Sequence, residues 1–463
     1  MTTILQFPQE TYQARLRTAS ADASGGWTWV HGAPHRGSAG VYNAINNAEL
    51  APGARYNAAT CTDANGALWL FGGYGADHIG QKGWLSDLWR WDGKQWMWFH
   101  GANVTNSSGN YYTQSRFHPR NTPGARYGAA LWFDRRGYLW LFGGYGYDAH
   151  GVFGLLNDLW CWRDHQWCWV SGASRIDTRG IYQEGGDRPP HPGARAEMAC
   201  IPDGYDGLWL FGGHGIDSRG QKGMLDDLWH WDGQNWHWAS GSFTRETPGR
   251  HASPDQSTGP GARCSAGAWG GGGGSLYLFG GHGYDRERQF GLMSDLWKWD
   301  GEYWRLLRGP DLHTQPGSYG KPGVPDRYSN PGARHNPMTW ADNAGRLWLF
   351  GGSGQSGQEQ NGLLNDLWVW NGQYWAWMSG AQEADMGGQY GERGETDPRN
   401  MPGARYGAAT WIDRVGNLFM LGGIGRDGEG QWGLLNDLWT WPTGTSFDLT
   451  RLRAEGRMGH PSG

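Results

Sequence analysis

Pro123-Gly124-Ala125-Arg126 opens a stretch that runs on through Tyr127-Gly128-Ala129-Ala130-Leu131-Trp132 to Leu139-Trp140-Leu141-Phe142-Gly143-Gly144. It continues as Leu155-Leu156-Asn157-Asp158-Leu159-Trp160-Cys161-Trp162 and closes at Trp167-Cys168-Trp169-Val170-Ser171-Gly172. The same text recurs along the chain. Pro-Gly-Ala-Arg stands at six places, ending at Arg55, Arg126, Arg195, Arg263, Arg334 and Arg405, with spacings of 71, 69, 68, 71 and 71 residues. A period this regular marks a repeat architecture and outranks any single motif.

Each unit carries four short apolar or aromatic runs. The first follows the arginine, as in Tyr406-Gly407-Ala408-Ala409-Thr410-Trp411, and the second ends in Gly-Gly, as in Leu208-Trp209-Leu210-Phe211-Gly212-Gly213. The third is Asp-Leu-Trp-x-Trp and the fourth Trp-x-Trp, as in Asp366-Leu367-Trp368-Val369-Trp370 and Trp375-Ala376-Trp377. Tryptophan at every second residue has the period of a strand. Asp92-Gly93, Asp232-Gly233, Asp300-Gly301 and Asn371-Gly372 join the third and fourth runs, a strong hairpin signal. The unit is therefore a four-stranded antiparallel sheet, and six such sheets predict an all-β, six-bladed β-propeller.

The ends of the chain predict how the ring closes. The sixth unit stops at Asp437-Leu438-Trp439-Thr440-Trp441, meets Pro442 and has no Trp-x-Trp of its own. The absent run stands at the other end, as Trp27-Thr28-Trp29-Val30-His31-Gly32. Pairing the two closes the last blade with an N-terminal strand and removes an open sheet edge. The expected organisation is an extension at 1–24, the propeller at 25–442 and a tail at 443–463. The extension has no apolar core, so it does not read as a secretory signal.

The pattern resembles the kelch repeat of the galactose oxidase and kelch-like superfamily, through Gly-Gly closing the second strand, the Asn-Asp-like start of the third and the tryptophans of the fourth. The resemblance spans about residues 25 to 442. A kelch repeat is typically about 50 residues, so these units of near 70 carry extra connection. The resemblance implies a recognition module or, alternatively, an enzyme on the same scaffold: a sugar mutarotase, or a metal-dependent oxidase or lyase. The His, Tyr and Tyr–Cys set of copper-radical oxidases does not map onto this chain. The Glu-x-x-x-Asp-x-x-x-His pattern of iron-dependent nitrile specifiers does not occur in it.

Composition bounds the function further. A net charge of −5 argues against a nucleic-acid partner, and no run of 18 apolar residues predicts a membrane span. The five cysteines, Cys61, Cys161, Cys168, Cys200 and Cys264, lie in or beside strands. They read as small buried hydrophobes in a reducing, cytoplasmic setting, with a local Cys161–Cys168 disulfide as the alternative. The 33 tryptophans fall almost wholly in strand register, which makes them packing residues. Trp84 and Trp432 are placed in loops.

Strand alternation assigns the short turns, such as Asp63-Ala64-Asn65-Gly66 and Asp92-Gly93-Lys94-Gln95, to one face. The long connections, Gly73 to Trp84 and Ala102 to Thr122 among them, go to the other. All the extra length thus points to one binding face. The recurring Gly-x-Tyr of those connections, such as Gly40-Val41-Tyr42, reads chiefly as a pin holding each loop to its blade. The recurring Asp of Asp-Leu-Trp reads as a turn cap or a partner for arginine.

On the long-loop face the six arginines are candidate anion contacts, as the resemblance to kelch substrate adaptors implies; the structural alternative has each paired to a carboxylate. Tyr56, Tyr127, Tyr406 and His335, directly after arginines, and Tyr74 and Tyr145, after Gly-Gly, are candidate binding residues because the repeats disagree there. Glu197, the one acid at its register, forms with His214 and His282 a candidate catalytic set that could hold a metal or shuttle a proton. With Arg195 and His214 it also keeps a mutarotase site open. Gly-x-Gly-x-Asp after the second strand reads as an Asx-type turn, lacking the remaining ligands of a calcium loop. The expectation is a protein segment or glycan bound on the long-loop face, with an anionic group favoured by free arginines. No metal and no cofactor are expected, and a place in a larger assembly stays open.

Overall fold

The computed structural model describes residues 25–43, 49–183, 189–250, 259–271, 274–310 and 312–443. The 1–24 extension and nearly all of the expected tail lie outside these residues. The described chain is an all-β propeller of six four-stranded antiparallel blades. In the second blade the strands are Ala130–Phe133, Leu139–Tyr147, Phe153–Arg163 and Gln166–Ser171, each hydrogen-bonded to the next. The six inner strands begin at Ala59, Ala130, Ala199, Gly267, Met338 and Ala409. Each packs against its two neighbours, and the last returns to the first. Among the described residues no helix is long and apolar enough to cross a membrane.

The sixth blade closes as its sequence predicts. Thr28–His31 pairs antiparallel with Trp432–Trp441, Thr28 facing Thr440 and Trp29 facing Trp439. Trp27, fully buried, wedges between Phe350 of the fifth blade and Trp441. The core consists of such contacts between blades. Phe142 meets Trp236 and Phe211 meets Trp304, aromatic pairs that add roughly 0.5–1.5 kcal/mol each beyond the area they bury. Trp84 and Trp432 correct the loop assignment: both lie in upward extensions of third strands, Lys82–Trp84 and Trp432–Trp441.

The Gly-Gly pair is a bulge in the second strand. In the third blade the register slips between Phe211 and Gly213, and both glycines have positive φ. A Cβ on Gly212 would stand 2.7 Å from the Arg263 carbonyl of the next blade. The position thus demands glycine for its conformation and for the close approach. Beyond the bulge the second and third strands continue as a hairpin above the blade, tipped by an Asx turn. Asp217 Oδ1, for example, accepts from the amides of Arg219 and Gln221. The expected long loop from Gly73 to Trp84 is therefore half strand, Tyr74–Ala76 and Lys82–Trp84.

The fourth-to-first connections also depart from expectation. In the second blade Phe117–His118 pairs with the outer strand at Cys168 and Trp167, adding a fifth strand. Asp326 bridges to Trp375 and Thr396 to Thr28 at the same place on two other blades. Part of the extra length thus covers blade edges rather than building one face.

Candidate functional site

The arginine and aspartate of each unit meet inside the blade. In the second blade Arg126 donates bidentately to Asp158 at 2.7 and 2.8 Å, to the Gly143 carbonyl at 2.9 Å and to the Gly124 carbonyl at 3.0 Å. The pairs Arg55–Asp87, Arg195–Asp227, Arg263–Asp295, Arg334–Asp366 and Arg405–Asp437 repeat this geometry. Tyr111 and Trp160 donate to the same carboxylate, and Tyr42, Tyr182, Tyr319 and Tyr390 do so in their own blades. The tyrosines of Gly-x-Tyr are therefore pins. All six arginines are at most 3% exposed. This corrects the free arginine ring: every guanidinium is spent on structure, and the reason for favouring an anion goes with it.

Around the axis the chain builds a second ring. Two residues after each arginine stand Asn57, Gly128, Glu197, Ser265, Asn336 and Gly407, all at positive φ between 48° and 64°. The amide of each donates to the carbonyl of the residue one blade before it, from Asn57 to Gly407 around to Gly407 on Asn336, at 2.7–3.3 Å. These six head-to-tail bonds close a floor across the channel. Asparagine and glycine tolerate this left-handed conformation; serine and glutamate are uncommon occupants.

Glu197 spans the floor. Its carboxylate accepts from Asn57 Nδ2 at 3.2 Å and from Ser265 Oγ at 2.8 Å, joining blades one, three and four. Above the floor stands a wall of Tyr56, Tyr127, Ala196, Cys264, His335 and Tyr406. The tyrosines occupy consecutive blades, with Tyr56 5.9 Å from Tyr406 and 6.1 Å from Tyr127 between ring centroids. Tyr56 also meets Tyr74, and Tyr127 meets Tyr145, in the register pairs of their short top strands. The structure thus brings together Tyr56, Tyr127, Tyr406, His335, Tyr74, Tyr145 and Glu197 at one axial mouth.

The electrostatics of the mouth follow from burial and from Glu197. Burial, then the neighbouring charges of Tyr406, Glu197 and Tyr74, pushes the Tyr56 phenol up to about 12. Tyr127 and Tyr406 are raised by burial and then by Glu197. Cys264 is pushed up to about 12 by burial and Glu197. His335 is lowered to about 4 by burial and by His282, and burial also lowers His282 and His214. These imidazoles are neutral near pH 7. Lys222 sits on the rim, its ammonium 4.8 Å from the Tyr145 ring centroid.

The weak catalytic set does not assemble. His214 faces Ala196 and His282 faces Cys264 across their strands, while the hydrogen bonds of Glu197 go to Asn57 and Ser265. His282 packs on Phe290 at 4.3 Å. Arg195, the third member of a mutarotase-like set, is locked on Asp227. Among the described residues no three His, Cys, Asp or Glu side chains gather as a metal cluster. Cys161 and Cys168 face each other across their strands as free thiols.

Away from the axis, a groove of about 560 Å³ runs between the outer strand of the first blade and the next connection. Trp98, Phe99, His100, Ser107, Thr122 and Pro123 are among its lining residues, and burial followed by His165 lowers His100. The groove has no carboxylate and no cation among these residues. The axial mouth combines aromatic faces with a carboxylate, and so carries the stronger recognition chemistry.

No protein-family model matches the chain, and no curated protein matches it. Among solved structures the chain is similar to one titled as the structure of YjhT, at 14% identity, covering 84% of this chain and 95% of that one with a TM-score of 0.49. It is also similar to a fungal alcohol oxidase of the AA5 family in complex with copper, at 12% identity and a TM-score of 0.42. That match covers 83% of this chain and 62% of the oxidase, less than two thirds of its length.

Proposed function

We propose that this chain is a non-catalytic recognition propeller that holds a protein segment at its axial mouth, on the face of the hairpin extensions. One observation carries the reading. Glu197 takes a conformation uncommon for its type and places a carboxylate on the axis, beneath three adjacent tyrosines. Non-glycine residues held in the left-handed region motivate a functional reading, and of the six floor residues Glu197 alone brings a charge. Tyrosine supplies broad contact area at low entropic cost, which suits the recognition of an extended segment. On the opposite face the short turns satisfy much of their own polarity, as where Asp63 accepts from the amides of Asn65 and Ala67.

The test is an array of peptides and glycans probed with the wild-type chain, with Tyr56→Ala/Tyr127→Ala, and with Tyr303→Ala, whose exposed ring lies on a short turn. Peptide hits should vanish with the axial variant and survive the turn variant. Hits that survive the axial variant would overturn the reading, and hits confined to glycans would replace the protein segment with a sugar.

A further inference from the structure

The axial mouth is asymmetric. Tyrosines stand on blades six, one and two, whereas blades three and four present the small residues Ala196 and Cys264. Ala196 and Cys264 are themselves buried, so the accessible aromatic surface of the wall lies on the tyrosine blades. Tyr56, Tyr127, Tyr406 and Glu197 are only half-buried.

Among the described residues no cation pairs with the Glu197 carboxylate, and the Lys222 ammonium stands at the rim beside Tyr145. Both described partners of the Glu197 carboxylate, Asn57 and Ser265, are neutral. The six nearby guanidiniums are locked on their own aspartates, and His335 and His282 are held neutral. The charge of Glu197 is felt by all three phenols and by the Cys264 thiol. The Tyr56 ring packs against those of Tyr74, Tyr127 and Tyr406, with centroids 5.8–6.1 Å apart, so the phenols cluster at the mouth. Aromatic faces converging beside an uncompensated carboxylate attract a weakly hydrated cation, through the negative potential of the rings and the charge itself. At the rim the Lys222 ammonium lies 4.8 Å from the Tyr145 ring centroid and donates to the Tyr145 hydroxyl at 3.5 Å.

We propose that the axial mouth recognises an ammonium group, the side chain of a lysine or methylated lysine on the bound segment. Glu197 supplies the counter-charge, and Tyr56, Tyr127 and Tyr406 form the cage. This rests on the recognition reading above and adds the chemistry of the anchor. Glu197 is then the specificity-determining residue, and it explains why one blade departs from glycine, asparagine and serine on the floor.

The probes are choline and its uncharged isostere 3,3-dimethylbutan-1-ol, titrated into the full chain and followed by saturation-transfer NMR and calorimetry. Choline should bind the wild type. The isostere should bind at least about tenfold more weakly, the loss of one charge-assisted contact. Glu197→Gln keeps the shape of the side chain and an oxygen for Asn57, and should weaken choline about tenfold while leaving the isostere unchanged. Should that variant fold poorly, Tyr406→Leu gives the same reading from the cage, with a similar loss for choline. Equal binding of choline and isostere, or no binding of choline, would overturn the ammonium anchor. Neither result touches the recognition reading, which fails separately if array hits ignore the axial variant.

Discussion

Asp226 should make the seam between the third and fourth blades sensitive to pH, and Asp226→Asn should remove that sensitivity. In the second, fifth and sixth blades the equivalent residue is asparagine. Asn157 accepts from the Ala173 amide at 3.0 Å and donates to the Pro192 carbonyl of the next blade at 3.4 Å; Asn365 does the same with Ala381 and Pro402. Asp226 accepts from the Ser242 amide at 3.2 Å and lines a small void with Arg250 and Pro260. When ionised, it has no proton to give the Pro260 carbonyl. Burial first, and then the Asp227 charge, raises it to about 7, against the opposing Ser242 amide and Arg250. The folded state thus binds a proton more tightly than the unfolded chain, whose carboxyl titrates near 4. Stability from this group is fully present below pH 4, falls as the pH rises through 7, and is flat above. Three pH units at about 1.4 kcal/mol each set a ceiling of roughly 4 kcal/mol. Asp226→Asn should therefore stabilise the protein by about 2–4 kcal/mol at pH 8 and by under about 1 kcal/mol at pH 4.5. Urea unfolding of both proteins across this range isolates the term as their difference, since the other groups cancel. A difference that stays constant with pH, or an asparagine variant less stable at pH 8, would refute the reasoning.

Three further perturbations test the scaffold. Deleting residues 1–33 removes the closing strand and the buried Trp27, so the truncated chain should melt lower or associate through the exposed edge of Trp432–Trp441, as read by light scattering. Trp160→Ala, at a fully buried ring, should cost about 3–5 kcal/mol in chemical denaturation without altering binding at the mouth. Arg334→Met strands the Asp366 carboxylate in the blade and should cost a similar 3–5 kcal/mol or so; an unchanged denaturation midpoint would mean the pair contributes nothing.

The architecture was legible in the sequence because its signals repeat. Trp-x-Trp gives the strand period, Asp-Gly gives the hairpin, and the orphaned third strand at Trp441 gives the closure. The arginines were harder to read. Their partners lie 32 residues away in each unit, and nothing local distinguishes a guanidinium aimed at a ligand from one turned into its own blade. The invariance of the aspartate across six units was the available sign that each arginine was already paired. Glu197 stood out as the one acid in its register, but its partners Asn57 and Ser265 come from other blades, so only closure of the ring shows that it spans the axis. The floor itself left a trace in the asparagine, glycine and serine at five of its six positions. The connections were misread because length alone does not separate a free loop from the Phe117–His118 edge strand or from a hairpin that continues past a glycine bulge.

The central claim is that ligands meet this chain at the axis. A crystal structure with the tightest array peptide bound would test it most directly. The peptide should lie over the floor ring, with one cationic side chain between Glu197 and the rings of Tyr56, Tyr127 and Tyr406, and be recovered chemically unchanged. A peptide seated instead in the groove beside Trp98 and Thr122, or against the turns at Asp63 and Asp92, would contradict it.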